Sequence, residues 1–198
     1  MAWTLAPVLV ALALGYLLGS IPFGLVLTRA AGLGDIRAIG SGNIGATNVL
    51  RTGNKKLAAA VLVLDALKGF APVMIAAIYG PFAAVAAALG AVLGHLFPVW
   101  LGFKGGKGVA TTIGVMWGLS WPVGAITCAA WLIVAVLFRY SSLAALLGIV
   151  AGAASAWYFD IRPVALGITA LVPLVWIRHH QNIGRLLSGT EPKIGQRS

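Results

Sequence analysis

The sequence predicts an all-α fold, a polytopic membrane helical bundle of seven transmembrane helices with its N-terminus outside and its C-terminus in the cytoplasm. Three observations predict it. Of 198 residues, 60% are apolar and only 9% are charged, where a soluble domain carries about 25% charged residues. The apolar residues gather in runs that approach the roughly 20 needed for a helix to cross hydrocarbon. The 14 Lys and Arg, set against four Asp and Glu, fall almost wholly on alternate connections.

The first run covers 3–28. No basic region precedes it, and it is long for the core of a signal peptide, so it reads as a retained span. Runs at 57–79 and 82–101 follow. The fourth, 109–120, is too short to cross unaided, so it begins within the preceding glycine loop or lies in a locally thinned site. Runs at 122–138, 142–158 and 163–178 complete the seven. Cytoplasmic connections are enriched in Lys and Arg. Arg29, Arg37, Arg51, Lys55 and Lys56 follow the first span, Lys104 and Lys107 the third, Arg139 the fifth, and Arg178, Arg185, Lys193 and Arg197 the seventh. The opposite side receives only Arg162, which sets the orientation.

The longest polar stretch, 29–56, is too short for a core of its own, so residues 1–198 read as one membrane domain. Gly15 with Gly19, Gly90 with Gly94, and Gly148 with Gly152 are spaced for close helix packing. No internal repeat stands out. The net charge of +10 points to anionic lipid headgroups or anionic substrates. Nucleic acid is excluded as a partner, because no soluble domain is present to carry its binding surface. Cys128 is the only cysteine and lies in an apolar run, so it is expected to pack.

Three polar segments carry chemistry. GSGNIGATNVLR at 40–51 contains GxGxxG, but a dinucleotide fold needs a strand, a helix and a parallel sheet around it, and none is legible. Its glycines, Gly40 and Gly42 among them, instead free backbone N–H groups to face an anion. Ser41, Asn43, Thr47, Asn48 and Arg51 add side-chain donors suited to phosphate. GHLFPVWLGFKGGKGVAT at 94–111 brings Lys104, Gly105, Gly106 and Lys107 to a helix start, another anion-binding arrangement. Gly108 stands where a nucleotide-binding P-loop needs Ser or Thr, so nucleoside triphosphate is not implied. His95 lies one turn from the end of its helix. In RHHQNIGRLLSGTE at 178–191, Arg178, Asn182 and Arg185 share a helix face with His179 beside them. That stripe reads equally as a donor cluster or as a basic membrane-surface helix. Adjacent His179 and His180 diverge around a helix and carboxylates are scarce, so no metal is expected. Asp65 and Lys68, three apart within the second span, are expected to form a structural pair that supports the site.

These three segments in one small polytopic chain, with LDALKG at 64–69, resemble the bacterial PlsY family of acyl-phosphate glycerol-3-phosphate acyltransferases over nearly the whole length. The resemblance implies a multi-pass protein of the bacterial inner membrane with its active site facing the cytoplasm. It implies transfer of a fatty acyl group from a long-chain acyl phosphate to the 1-hydroxyl of sn-glycerol 3-phosphate, giving lysophosphatidic acid and phosphate. By the same resemblance Ser41, Arg51, Lys107, His179 and Asn182 bind phosphate, with Lys104, Arg185 and the glycine-loop N–H groups assisting. His95 is the candidate base for the attacking hydroxyl, with the substrate's own phosphate as the alternative. His95, His179 and His180 all lack an Asp five residues on, the pair typical of acyltransferases with soluble donors, so neither coenzyme A nor another cofactor is expected. Membrane lipid and a transient contact with the enzyme that makes the acyl phosphate are the implied partners. A permease for phosphorylated metabolites is the rival reading, although permease sites lie near the midplane. A lipid-binding scaffold explains the charge but not three donor clusters.

Overall fold

The computed structural model describes residues 5–159 and 162–196. Trp3, where the first expected span begins, and the charges Asp160 and Arg197 lie outside the described residues. Ten α-helices follow in order among the described residues: α1 Leu5–Gly19, α2 Phe23–Ala30, α3 Ala46–Leu50, α4 Lys55–Ala77, α5 Pro81–Leu96, α6 Val109–Leu119, α7 Trp121–Phe138, α8 Ser141–Tyr158, α9 Arg162–Arg178 and α10 His180–Leu187. Among the described residues, five stretches are long and apolar enough to cross a membrane: Leu5–Ala30, Lys55–Ala77, Pro81–Leu101, Trp121–Phe138 and Ser141–Tyr158. The expected fourth and seventh spans appear as shorter helices of 11 and 17 residues, α6 and α9.

The first expected span is one apolar stretch but two helices. Pro22 has no N–H to bond back along the helix, and α1 gives way to α2 across Ser20–Pro22. The break is filled from other helices. Lys68 of α4 donates to the Ile21 carbonyl at 2.6 Å, and Trp100 donates to Ser20 Oγ at 2.7 Å. Tyr16, one turn earlier, donates to the Phe97 carbonyl at 2.8 Å. Lys68 is also 2.8 Å from Asp65, both side chains being 3% exposed. The expected structural pair is therefore present, and it braces the broken helix as well.

The glycine pairs explain the packing. A Cβ on Gly15 or Gly19 would strike the backbone of Ala87 or Ala91, and one on Gly90 or Gly94 that of Leu12 or Tyr16. Helices α1 and α5 thus cross with backbones nearly touching. Gly69 and Gly114 do the same for α4 and α6, against Thr111 and Ala66, while Gly148 and Gly152 face Thr127 and Trp131 of α7. Helix α5 is central, with two-thirds of its apolar window buried against about a fifth for α7. On the outward faces, Val136, Leu137 and Leu166 remain exposed, as lipid contact requires. This packing brings the C-terminal end of α5, the start of α6 and the α9–α10 joint to one end of the bundle.

Candidate active site

The first segment is organised around one buried amide. Asn48 donates through Nδ2 to the carbonyls of Ile36, Ile39 and Asn43 at 2.8 to 3.0 Å. Its Oδ1 accepts from Ser41 N at 3.1 Å and lies 3.4 Å from Ser41 Oγ. Asn43 Oδ1 accepts from Gly45 N at 2.9 Å, turning the chain into α3. Asn48, expected to donate to substrate, therefore spends its donors on the loop itself, and Asn43 contributes a turn-forming acceptor. Gly40 holds φ +56°, and a Cβ there would meet the side chains of both Asn48 and Arg51. What remains outward is Ser41, Thr47 and Arg51, all exposed. Arg29 and Arg37 are engaged with Asp35 at 3.0 and 2.6 Å. Hydrogen bonds from Arg37, more than the Arg29 contact, hold the Asp35 carboxyl well below the usual range.

The second segment folds back on the end of α5. Gly105 N donates to the Leu96 carbonyl at 3.2 Å and Gly106 N to the His95 carbonyl at 3.1 Å. Arg178 donates to the carbonyls of Gly105 and Gly106 at 2.8 and 3.1 Å, with its guanidinium 5.6 Å from the Phe97 ring. The N–H groups of Gly105 and Gly106 are thus not available to an anion as expected: they cap α5. Arg178 acts as a clip on the loop. The free N–H groups are those of the first turn of α6, after Gly108 in the left-handed region, where helices leave their donors unpaired.

His95 is enclosed rather than presented. It is 4% exposed, its Nδ1 lies 3.2 Å from Thr111 Oγ1 and 3.9 Å from Asp65, and Gly106 covers Nε2 closely enough that a Cβ there would collide with it. The geometry suits a group that shapes the loop, in place of the expected base at the attacking hydroxyl. Gly106→Ala is therefore expected to displace Lys107 and lower kcat/KM by about 10²-fold. Steady-state kinetics check this, and near-wild-type turnover would show that the Gly106–His95 contact is not needed.

Lys107 lies where charged groups of the other two segments act on it. Its half-buried ammonium makes no hydrogen bond to any described residue. Burial pushes it down to about 8; Glu191 opposes that, while Arg185, Arg51 and Arg178 add to it. Those electrostatic neighbours come from the first and third segments, so the three segments converge here. Lys104 is exposed.

In the third segment Glu191 returns along the chain to organise α10. Its Oε1 accepts from Ser142 Oγ and Asn182 Nδ2, both at 2.6 Å, and its Oε2 accepts from Arg185 Nε at 2.7 Å. Burial pushes its carboxyl up, but these three donors outweigh burial and hold it below the ordinary value. His179, 2% exposed, donates from Nδ1 to the Val175 carbonyl at 2.8 Å. Burial, chiefly, pushes its imidazole down to about 4. His180 points outward, with Nδ1 2.9 Å from the Ile177 carbonyl. Glu191 and Ser142 are the residues sequence reasoning missed. The available signal was scarcity: with four acidic residues in the chain, one placed just after a donor-rich helix has a defined task. Among the described residues no three His, Cys, Asp or Glu side chains gather as a metal site.

Comparison with known proteins finds relatives over nearly the whole chain. The family described as glycerol-3-phosphate acyltransferase matches residues 9–189. A glycerol-3-phosphate acyltransferase of Mesorhizobium japonicum is 63% identical over 187 residues, covering 94% of this chain and 96% of the relative. The crystal structure of PlsY (YgiH), an integral membrane glycerol 3-phosphate acyltransferase, in its glycerol 3-phosphate form superposes with a TM-score of 0.91 at 40% identity, covering 95% of this chain and 96% of that one. Its lysophosphatidic acid form gives 0.89 at 38% identity, with 95% of each chain covered. A multi-pass helical chain in which three polar segments meet around Lys107, and which matches these proteins almost end to end, belongs to the PlsY family of glycerol-3-phosphate acyltransferases.

Proposed function

We propose that this acyltransferase takes its acyl group from an acyl phosphate and works at the cytoplasmic face of a bacterial inner membrane. The 1-hydroxyl oxygen of glycerol 3-phosphate attacks the acyl carbonyl, the bond from that carbonyl to phosphate breaks, and 1-acylglycerol 3-phosphate and inorganic phosphate leave. The hydroxyl proton goes to a phosphate oxygen, because His95 is enclosed by Thr111 and Gly106. The observation that carries the reading is Lys107: a half-buried ammonium without a hydrogen-bond partner, flanked by Arg51 and Arg185. Such a cationic cluster suits two phosphate-bearing substrates. An acyl phosphate is already activated, so the protein's task is alignment and stabilisation of developing negative charge. Ser41, Thr47, Lys104 and the first-turn N–H groups of α6 complete the donor set around Arg51, Lys107 and Arg185.

The same reading makes residues 1–198 one domain of seven spans, N-terminus outside. Helix α6 reaches only about 16 Å at 1.5 Å per residue, so the loop before it carries the chain to the surface, and non-helical backbone at that depth is tolerated where protein buries it. Membrane lipid surrounds the bundle, and the enzyme that makes the acyl phosphate is a transient partner. A permease reading lacks a comparable feature, since Lys107, Arg51 and Arg185 all sit at helix ends.

Purified protein given glycerol 3-phosphate and palmitoyl phosphate is expected to release phosphate and lysophosphatidic acid in equal amounts. Turnover with palmitoyl coenzyme A but not palmitoyl phosphate would overturn the proposed donor.

A further inference from the structure

The break between α1 and α2 is fastened from three directions, and each leads to the end of the bundle that carries Lys107. Lys68 holds the Ile21 carbonyl and pairs with Asp65, which lies 3.9 Å from His95, the ring that Gly106 covers. Tyr16 holds the Phe97 carbonyl. The third fastening, from Trp100 to Ser20, is the one that burial does not explain. Trp100 is 63% exposed, whereas Ser20 is 1% exposed, so an indole at the surface commits its N–H to a hydroxyl inside. Ser20 spends its own hydrogen on the Leu17 carbonyl at 2.7 Å, which leaves Oγ to accept from the indole.

The two ends of this contact belong to different halves of the cationic cluster. Trp100 lies in the short turn Val99–Leu101, which opens the segment leading to Lys107. Ser20 precedes α2, whose Gly24 is pressed so closely on the Ile44 carbonyl that a Cβ there would collide with it. Helix α2 therefore cannot shift without the loop that enters α3, and Arg51 follows directly on α3. Beside Trp100, Leu101 packs against the cluster of Leu25, Ile36, Val49, Ala58 and Val61 that seats α2 and α3 on α4. Such packing is non-directional, whereas a hydrogen bond fixes direction as well as distance. We infer that Trp100 is a positioning residue for acyl transfer: by tying its turn to Ser20 at the break, it keeps Lys107 in register with Arg51. The inference rests on the proposed phosphate-binding role of these cations. A phosphate held by both needs them at a fixed separation, and a shift of about 1 Å is enough to cost much of the rate.

Trp100→Phe keeps an aromatic ring at the surface and removes the indole N–H, and Ser20→Ala removes its acceptor. With the purified full-length protein, each is expected to lower kcat/KM for glycerol 3-phosphate about tenfold. The double variant is expected to fall no further than either single one, because both remove the same contact. A loss with Trp100→Phe and none with Ser20→Ala would make Trp100 an interfacial anchor and overturn the inference, as would wild-type kcat/KM in both or full additivity in the double variant. The pH profile separates positioning from a structural tether. Burial pushes Lys107 down to about 8, with Arg185, Arg51 and Arg178 adding to it and Glu191 opposing. A loop that drifts from Arg51 and opens to water relieves two of these effects, so the alkaline fall of kcat/KM in both variants is expected at least about half a pH unit above that of wild type. A fall that is not displaced would mean that the bond supports the fold alone, and would overturn the inference. Each ratio is taken with the acyl donor that the wild-type protein uses, so failure of palmitoyl phosphate as donor shows in the wild type and leaves this test intact.

Discussion

Replacing Lys107 by Met is expected to lower kcat/KM for glycerol 3-phosphate by about 10²–10³-fold, the usual cost of removing one donor aimed at developing negative charge. The effect is large because Lys107 has no competing partner: its ammonium makes no hydrogen bond within the described protein, and Arg51 and Arg185 lie close enough to act on its charge. Charge also makes the residue pH-dependent in a defined direction. Burial pushes the free ammonium down to about 8, so the charged form is lost as pH rises through that value. kcat/KM reports free-enzyme groups and is expected to fall above about pH 8. A bound phosphate dianion favours the ammonium, so kcat holds to higher pH. Lys107→Arg keeps its charge throughout this range and removes the fall, although fork geometry in place of a point charge keeps its rate below wild type. A Met variant within about tenfold of wild type, or an Arg variant with an unchanged pH profile, would take Lys107 out of the centre of the site.

The setting of Lys107 was legible in the sequence, since a lysine in a glycine loop ahead of a helix stands out in a membrane chain, and the structure places it there. The five stretches long enough to cross a membrane were legible because hydropathy is summed over many residues, so local errors cancel. Legibility failed where a polar group's partner comes from a distant part of the chain. Asn48 and the N–H groups of Gly105 and Gly106 are donors on paper, but the folded chain uses them to hold itself. His95 has the position of a catalytic base, and only the approach of Gly106 and Thr111 reveals its enclosure. The break at Pro22 lies within a continuous apolar stretch, and its bracing by Lys68 and Trp100 joins residues 47 and 80 positions apart. Residue type shows what a side chain can donate; the fold decides whether the donor is free.

Glu191→Gln is expected to be the most destabilising single change at the site, while leaving side-chain volume almost unchanged. The carboxylate receives Ser142, Asn182 and Arg185 together. An amide turns one of its two oxygens into a donor facing other donors, and it leaves Arg185 without its counter-charge. With Glu191 buried but Arg185 more than a third exposed, losing these charge-assisted hydrogen bonds costs about 1.5–3 kcal/mol, which for a chain of this size corresponds to a drop of roughly 5–10 °C in midpoint by thermal unfolding in detergent. Acid should reveal the same contact. Because the Glu191 carboxyl is held below its ordinary value, its contribution is fully present above the unfolded value of about 4.3 and is lost as pH falls through the lower folded one. His179 acts earlier. With its folded value near 4, the unfolded chain binds the extra proton first, and stability falls from about pH 6.5 downward. Wild-type acid unfolding is therefore expected to lose stability in two stages, and Glu191→Gln to abolish only the lower. Activity should fall with stability, because Asn182 and Arg185 lose the group that orients them. A Glu191→Gln protein that unfolds at the wild-type temperature and turns over normally would make α10 an independent basic helix on the membrane surface, the alternative that its sequence alone leaves open.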